Sequence, residues 1–286
     1  MASFQENVEP QLDGRVARAV ARLESLHEGA QSVVDVVRFG GAAVPALREL
    51  LIRREKSGLH QARCRATDAL AGIGAYNVLD EYLRLEQQID DPVERLGEET
   101  VISAAARALA RRHDKSTFDL LTKLAQRRPL TGVLIALGSF KKSSSIPILV
   151  NALAEDEVRI TSEAVLRTFG SRARPHLLEA ASAKAISESD LRKRRSALGL
   201  LGEFRRKSAD WACLKPLMSS DDLETAILAA GLALKLGNVE ECDHAVGVLR
   251  KLRVQADWLR RMQIDQYLTR FAPKLRKSGR QASTRV

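Results

Sequence analysis

The sequence has little of what builds disulfide frameworks, zinc sites or aromatic stacking surfaces. Phe, Trp and Tyr make up 4% of its 286 residues, and this scarcity, with abundant Ala, Leu and Arg, favours helices over sheets. The three cysteines, Cys64, Cys213 and Cys242, are far apart, and none belongs to a Cys-x-x-Cys pair. This spacing argues against a disulfide framework and a zinc site, and it is typical of a reducing compartment.

A targeting signal, a long apolar run and the common enzyme motifs are also missing. The N-terminal stretch MASFQENVEPQLDGR has no basic segment followed by an apolar one. No apolar run approaches the ~20 residues that a membrane helix needs. Neither a Gly-x-Ser-x-Gly elbow nor a Walker or dinucleotide-binding glycine loop is present. We therefore predict a soluble, cytoplasmic protein with no membrane segment and no membrane partner, no metal, no cofactor and no catalytic site.

The net charge of +10 resembles that of a nucleic-acid-binding protein until it is located along the chain. Residues 1–249 hold 35 Lys and Arg against 34 Asp and Glu, a net charge of +1. Residues 250–286 hold 11 Lys and Arg against two Asp, a net charge of +9. The excess therefore belongs to the C-terminal end, and the body of the protein is nearly neutral.

Seven stretches of 13 residues share one apolar pattern. They span residues 28–40, 62–74, 101–113, 126–138, 158–170, 190–202 and 225–237. The ninth position is apolar in all of them, as Val36, Leu70, Leu109, Leu134, Leu166, Leu198 and Ala233. Positions one, five, eight, nine and twelve lie on one face of a helix, so each stretch predicts an amphipathic helix.

Six of these stretches end in glycine and one ends in His113. A glycine at a helix end is favoured because it enters the left-handed conformation without a side-chain clash. A second short apolar stretch follows each frame, for example VPALRELLI after Gly40 and IPILVNAL after Gly138. Ser187 with Asp190, and Asp221 with Glu224, are predicted capping pairs. The recurring unit is therefore predicted to be a helical hairpin.

Stretches such as VRITSEAVLRTFG and ARCRATDALAGIG resemble the short bacterial HEAT-like repeat. That resemblance implies an all-α fold, a right-handed α-solenoid of about seven to eight helical hairpins. The predicted layout is an N-terminal segment 1–11, a single solenoid domain 12–270 ending in a helix near 255–270, and a basic disordered tail 271–286. The stretch 87–99 is predicted to be a loop on the solenoid rim.

The densest charge in the body of the sequence lies in residues 191–208. The candidate binding residues are Arg192, Lys193, Arg194, Arg195, Arg205, Arg206 and Lys207, joined by Lys274, Arg276 and Lys277 of the tail. Their cations could hold an acidic protein partner or phosphate groups, or they could form an ordinary solvated rim. Arg63, Arg127 and Arg159 share frame position two and are instead predicted to tie neighbouring repeats, with Glu28, Asp68 and Asp156 as candidate partners.

The HEAT-like pattern occurs in proteins of several functions, which leaves alternatives. We predict a non-catalytic scaffold that binds a protein partner, acidic in character, on its concave or rim surface. One alternative is a nucleic-acid-binding protein related to the HEAT-like DNA glycosylases, which use tryptophans with an aspartate. The pairs Asp210–Trp211 and Asp257–Trp258 fit that site poorly, since helix neighbours point ~100° apart, and both tryptophans are predicted to be packing anchors. A phycobilin-lyase-type subunit is the other alternative.

Overall fold

The computed structural model describes residues 8–53, 60–85, 89–204 and 211–282, with side chains from 13 to 271. Within these ranges the chain consists of α-helices, short 3-10 turns and connections, and it contains no strand. The predicted all-α class is therefore confirmed. No helix of this described part is long and apolar enough to cross a membrane.

The chain divides into two compact units, residues 1–141 and 142–286. The helices of the first unit are α1 Val8–Ala21, α2 Gly29–Arg38, α3 Val44–Ile52, α4 Gln61–Ile73, α5 Tyr76–Arg84, α6 Pro92–Leu109, α7 Lys115–Arg127 and α8 Thr131–Ser139. Those of the second unit are α9 Ile146–Ala152, α10 Asp156–Arg167, α11 Arg174–Ser182, α12 Glu188–Glu203, α13 Trp211–Leu214, α14 Leu223–Leu236, α15 Val239–Gln255 and α16 Trp258–Ala282.

Alternate helices pack side by side within each unit. In the first unit α2, α4, α6 and α8 form a row, and α3, α5 and α7 each pack against the next member of that row. In the second unit α10, α12, α14 and α16 form the row, and α9, α11 and α15 each pack against the helix that follows. Each unit is thus built of successive helix pairs; the predicted right-handed solenoid over 12–270 remains a prediction.

The apolar positions of the repeated pattern form the core of both units. The ninth frame position is at most 1% exposed in every frame, from Val36 to Ala233. Burial of such a side chain contributes about 1.5–3 kcal/mol, so this position is a main source of stability. The helical periodicity of the sequence was sufficient to locate it.

Two helix ends show why glycine recurs and when it is dispensable. Gly74 ends α4 with a φ of 86°, in the left-handed region, where a side chain would be strained. His113 ends the 3-10 turn after α6 with a φ of 52°, so the one frame without a terminal glycine adopts the same conformation. The predicted left-handed glycine at the helix end was wrong for three other frames, because Gly138 and Gly202 lie inside helices and Gly237 is extended.

Capping residues were predicted correctly at one helix and one position away at another. Ser187 and Asp190 form a reciprocal capping box at the start of α12. At α14 the cap is Asp222, which accepts from the Thr225 backbone N–H, and not the predicted pair of Asp221 and Glu224. Asp222 is one residue closer to the first helical turn, where its carboxylate reaches the unpaired N–H groups.

Two stretches predicted to be irregular are helical. The predicted loop 87–99 is helix from Pro92 onwards, because Asp91 caps α6 and accepts from the backbone N–H groups of Val93 and Glu94. The last helix begins at Trp258 and continues to Ala282, so helix extends into the predicted tail 271–286; residues 283–286 lie outside the described ones. Lys and Arg have good intrinsic helix propensity, so a basic and polar run can form a helix.

Candidate functional site

The basic residues of α12 were predicted to bind a partner. Instead, they contact groups of the second unit itself. Arg192 donates to the carboxylate of Asp156 on α10. Arg194 is buried and donates to the backbone carbonyl of Ala183. Lys193 lies 3.9 Å from the carboxylate of Asp190, measured from Nζ to Oδ1. These three cations therefore contribute to internal packing.

Arg195 is the centre of an acidic cluster. Its Nε donates to Asp222 Oδ2 over 3.0 Å, and its Nη1 donates to Glu188 Oε1 over 2.9 Å. Burial alone would raise the pKa of Asp222, but hydrogen bonds from Arg195 and Thr225 outweigh it and lower that pKa to about 2. The hydrogen bond with Asp222 raises the pKa of Arg195 in turn. The guanidinium thus joins the start of α12 to the start of α14.

The other six residues of the predicted binding set have no described side chain. Arg205, Arg206 and Lys207 lie outside the described residues. Lys274, Arg276 and Lys277 belong to α16, and only their backbone is described. Of the predicted set, the members with described side chains are the four of α12, and all four have internal partners.

One of the three arginines predicted to tie neighbouring repeats does so, with a partner that the sequence did not reveal. Arg63 of α4 bonds Glu98 of α6, with 2.6 Å between Nη1 and Oε2, and its Nε donates to the Leu51 carbonyl over 2.8 Å. Tyr82 donates its hydroxyl to the same carboxylate. Burial, then the charge of Glu98, raises the pKa of that Tyr82 hydroxyl. Arg63 and Glu98 are 35 residues apart, one repeat length.

Of the other two arginines of this set, Arg159 pairs within its own helix and Arg127 lies at a groove. Arg159 lies near Asp156 and Glu163 of its own helix, at 3.7 and 3.9 Å, so it does not reach a neighbouring repeat. Arg127 lines a groove between α5 and α7 with a volume of about 480 Å³. This groove has apolar walls that include Leu83, Leu120 and Leu124, and among its lining residues are Tyr82 and Glu98.

A second, larger cleft lies on the first unit, between α1 and α2. Its lining side chains are Arg15, Arg18, Arg22, Asp35, Arg38 and Phe39, and its volume is about 830 Å³. We call these six residues the arginine cleft. The first three arginines follow one another at i, i+3 and i+7 along α1 and the turn that continues it, so they share one face. Four cations and one carboxylate give the cleft a net charge of +3.

The arginines of this cleft are largely free of internal partners. Arg15 lies over the Phe39 ring at 5.9 Å from its centroid, and Arg18 donates to the Gly14 carbonyl over 3.1 Å. Among the described residues, Arg15, Arg18 and Arg22 have no carboxylate partner. Arg38 lies 3.4 Å from Asp35 and its side chain is 75% exposed, a geometry in which an ion pair is weak. The guanidinium groups are therefore available to an acidic ligand.

Sequence reasoning missed the arginine cleft because it averaged charge over residues 1–249. A local signal was present: the stretch GRVARAVAR places Arg15, Arg18 and Arg22 at helical spacing. Charge counted along one helix face would have found it. The averaged value of +1 concealed it because acidic residues elsewhere in the body cancel its charge.

The two tryptophans lie in opposite environments. Trp211 is 3% exposed, which confirms it as a packing anchor, whereas Trp258 is 75% exposed, so the same prediction was wrong there. Trp258, the first residue of α16, lies on the surface, whereas Ala256 two residues before it is buried. Among the described side chains, no group of three or more His, Cys, Asp or Glu is positioned to hold a metal ion.

Comparison with protein-family models gives no match for this chain, and comparison with curated proteins gives no match either. The class that the structure defines is an all-helical protein of successive packed helix pairs. The resemblance to HEAT-like repeats therefore rests on the sequence pattern.

Proposed function

We propose that this chain is a non-catalytic scaffold of HEAT-like helical hairpins, stacked as a right-handed solenoid, that binds an acidic protein segment in its arginine cleft. The observation that carries the proposal is the exposure of Arg15, Arg18 and Arg22 on one face without described carboxylate partners. A protein gains no stability from three like charges placed together, because they repel one another. Such an arrangement is favourable when a ligand supplies the opposite charge.

The chemistry of the cleft suits carboxylate side chains. A guanidinium offers a planar fork that matches a carboxylate with two parallel hydrogen bonds. Phe39 provides an aromatic surface beside these forks, partly covered by Arg15. The expected ligand is therefore a segment in which acidic residues alternate with an apolar one, so that carboxylates reach the arginines while the apolar side chain contacts the ring.

Nucleic acid is a second candidate ligand, and the net charge of +9 over residues 250–286 favours it. Phosphate groups bind arginine as readily as carboxylates do. Against this alternative, sequence-tolerant binding of single strands uses exposed aromatic rings for base stacking, and the arginine cleft offers only Phe39, already in contact with Arg15. The acidic protein segment is therefore the better supported ligand.

The test is the binding of a fluorescein-labelled oligoglutamate peptide with a central phenylalanine, followed by fluorescence anisotropy. The double variant Arg15→Glu/Arg18→Glu should bind at least about tenfold more weakly, because each reversal replaces an attraction with a repulsion. A labelled single-stranded oligonucleotide is titrated in parallel at the same ionic strength, since affinity for phosphate depends steeply on salt.

The matched control is Arg95→Glu/Arg111→Glu, which makes the same charge change at two exposed arginines of the first unit. Its affinity for the peptide should stay within about twofold of the parent's, because screened charges away from a site act weakly. Equal loss in both double variants would show that only net charge matters and would overturn the cleft as the site. Tighter binding of the oligonucleotide than of the peptide would favour the second candidate ligand.

A further inference from the structure

The turn between α15 and α16 exposes large apolar side chains that the proposed function does not use. Val254 is 78% exposed, Trp258 75%, Leu259 55% and Met262 46%. We call these four residues the α15–α16 corner. Single exposed apolar residues are ordinary, but several adjoining ones on one surface mark a contact with something other than water.

The geometry places these side chains together. Trp258 and Met262 are separated by four residues on α16, and Leu259 and Met262 by three, so they share one side of its first turns. Arg261 donates to the Val254 carbonyl over 3.5 Å, which brings the end of α15 against the start of α16. None of the described clefts is lined by these residues.

The charge around the corner is cationic. Arg250, Lys251 and Arg261 are exposed, and among the described residues none of them has a carboxylate partner. The nearby acids are neutralised internally: Asp265 accepts from Arg253 Nε over 2.7 Å, and Asp257 pairs with Arg260. Further along α16 the sequence adds Lys274, Arg276, Lys277 and Arg280 without any acid.

We propose that the α15–α16 corner docks onto an anionic lipid surface, with Trp258 at the level of the headgroups. A basic helix with tryptophan, leucine and methionine exposed at one end is the composition of an interfacial amphipathic helix. The indole of tryptophan is favoured at this depth because its ring is apolar while its N–H remains hydrogen-bonded. Cations beside the apolar side chains are attracted by the negative surface potential of such a membrane.

Two other ligands fit these observations less well. Nucleic acid would engage the cations, but it would leave the side chains of Val254, Leu259 and Met262 in water. A folded protein partner would bury these four exposed side chains only if it offered a cavity that matched them. A lipid surface needs no such cavity, because headgroups and acyl chains rearrange around an inserted side chain.

The experiment uses the full chain with phosphatidylcholine vesicles, with and without phosphatidylglycerol, and follows tryptophan emission and co-sedimentation. Because Trp211 is 3% exposed and Trp258 75%, a blue shift on binding reports Trp258. The expected result is a shift with anionic vesicles at low salt that declines as salt is added. Trp258→Phe should bind nearly as well but lose the shift, which identifies the reporter.

Variants separate the apolar from the electrostatic contribution. Two double variants, Trp258→Ser/Met262→Ser and Arg250→Glu/Lys251→Glu, should each reduce partitioning into anionic vesicles at least about tenfold. For the charge reversal, this is because one cation near such a surface changes the affinity about fivefold. Ile160→Ser removes a 72% exposed apolar side chain elsewhere in the same unit and should leave partitioning unchanged. Circular dichroism of each variant confirms that its helices are intact.

Three results would overturn the proposal. The first is that the protein does not partition into anionic vesicles at low salt. The second is that Ile160→Ser loses as much partitioning as Trp258→Ser/Met262→Ser. The third is a shift of Trp258 emission that oligoglutamate or an oligonucleotide produces but vesicles do not. The last result would assign the corner to a macromolecular partner. The variant Arg15→Glu/Arg18→Glu should bind vesicles normally, so this inference and the proposed function can fail independently.

Discussion

Arginines are used in opposite ways at two places in the molecule. On α12, Arg192, Arg194 and Arg195 bond to groups on neighbouring helices or on the preceding connection. In the arginine cleft, the described contacts of Arg15 and Arg18 are with the Phe39 ring and with the Gly14 carbonyl. The same residue type thus stabilises the fold where a partner lies one repeat away, and remains available for a ligand where none does.

The spacing of the ion pairs explains the first use. Residues one repeat apart are joined in five cases, Arg63–Glu98, Arg48–Glu81, Arg192–Asp156, Arg167–Glu203 and Arg260–Glu224, at separations of 33 to 36 residues. Corresponding helices of successive pairs bring such positions together. A long flexible side chain on one helix can then reach a carboxylate on the next. The arginine cleft lies at the first helix pair of its unit, where Arg15, Arg18 and Arg22 meet no described acid of this kind.

The largest effect is expected where an internal pair is most buried. Glu98 is 4% exposed, and Glu98→Ala would leave the Arg63 guanidinium buried without its carboxylate. Removing one partner of a buried pair costs about 3–5 kcal/mol, so urea unfolding should show a loss of that size. Glu49→Ala, at an exposed glutamate of the same unit, should change the free energy of unfolding by less than about 0.5 kcal/mol. Equal changes would show that the Arg63–Glu98 pair adds nothing to the fold.

A smaller loss is expected on α12. Arg195→Ala removes the guanidinium that bridges Asp222 and Glu188, and hydrogen bonds to charged groups contribute about 1.5–3 kcal/mol. We expect unfolding to become easier by about 2 kcal/mol. Arg195→Lys should recover part of this, because it restores the charge but not the planar fork. A neutral effect of Arg195→Ala would mean that α12 could hold a partner after all.

The all-helical class and the core positions were predictable from the sequence because their determinants are local. The ninth position of each frame is apolar every time, and helical periodicity alone shows that it faces a core. The start of α6 could be predicted from the sequence in the same way, since Asp91 before Pro92 is a strong signal for a helix start. The predicted loop 87–99 ignores this signal.

The candidate site was less predictable because it depends on which charges meet in space. The run from Arg192 to Arg195 looks like a binding surface in the sequence, but Asp156 and Asp222 lie 36 and 27 residues away from their partners. Neither acid belongs to α12, so the basic run by itself does not reveal these pairs. The sequence does place Arg15, Arg18 and Arg22 on one helix face, but it does not show that no described acid lies beside that face, because this depends on packing.

The acid dependence of unfolding should distinguish the two regions at a smaller scale. The pKa of Asp222 is about 2 in the folded chain, below its ordinary 3.8. Its stabilising contribution is therefore fully present above about pH 4 and is lost as the pH falls towards 2. We expect a loss of about 1–2 kcal/mol over this window, allowing for partial exposure. Asp222→Asn should be less stable at neutral pH and lose less on acidification; parallel curves for both proteins would contradict this account.

The smallest effect on stability is expected in the arginine cleft. Arg15→Ala/Arg18→Ala breaks no described ion pair, so its free energy of unfolding should stay within about 0.5 kcal/mol of the parent's for each residue changed. Relief of repulsion between like charges could even make the variant slightly more stable. Addition of the oligoglutamate peptide should then raise the melting temperature of the parent but not of the variant, because only a ligand that binds the folded state stabilises it. A marked loss of stability without peptide would show that these arginines hold the fold together as those of α12 do, and the contrast between the two regions would disappear.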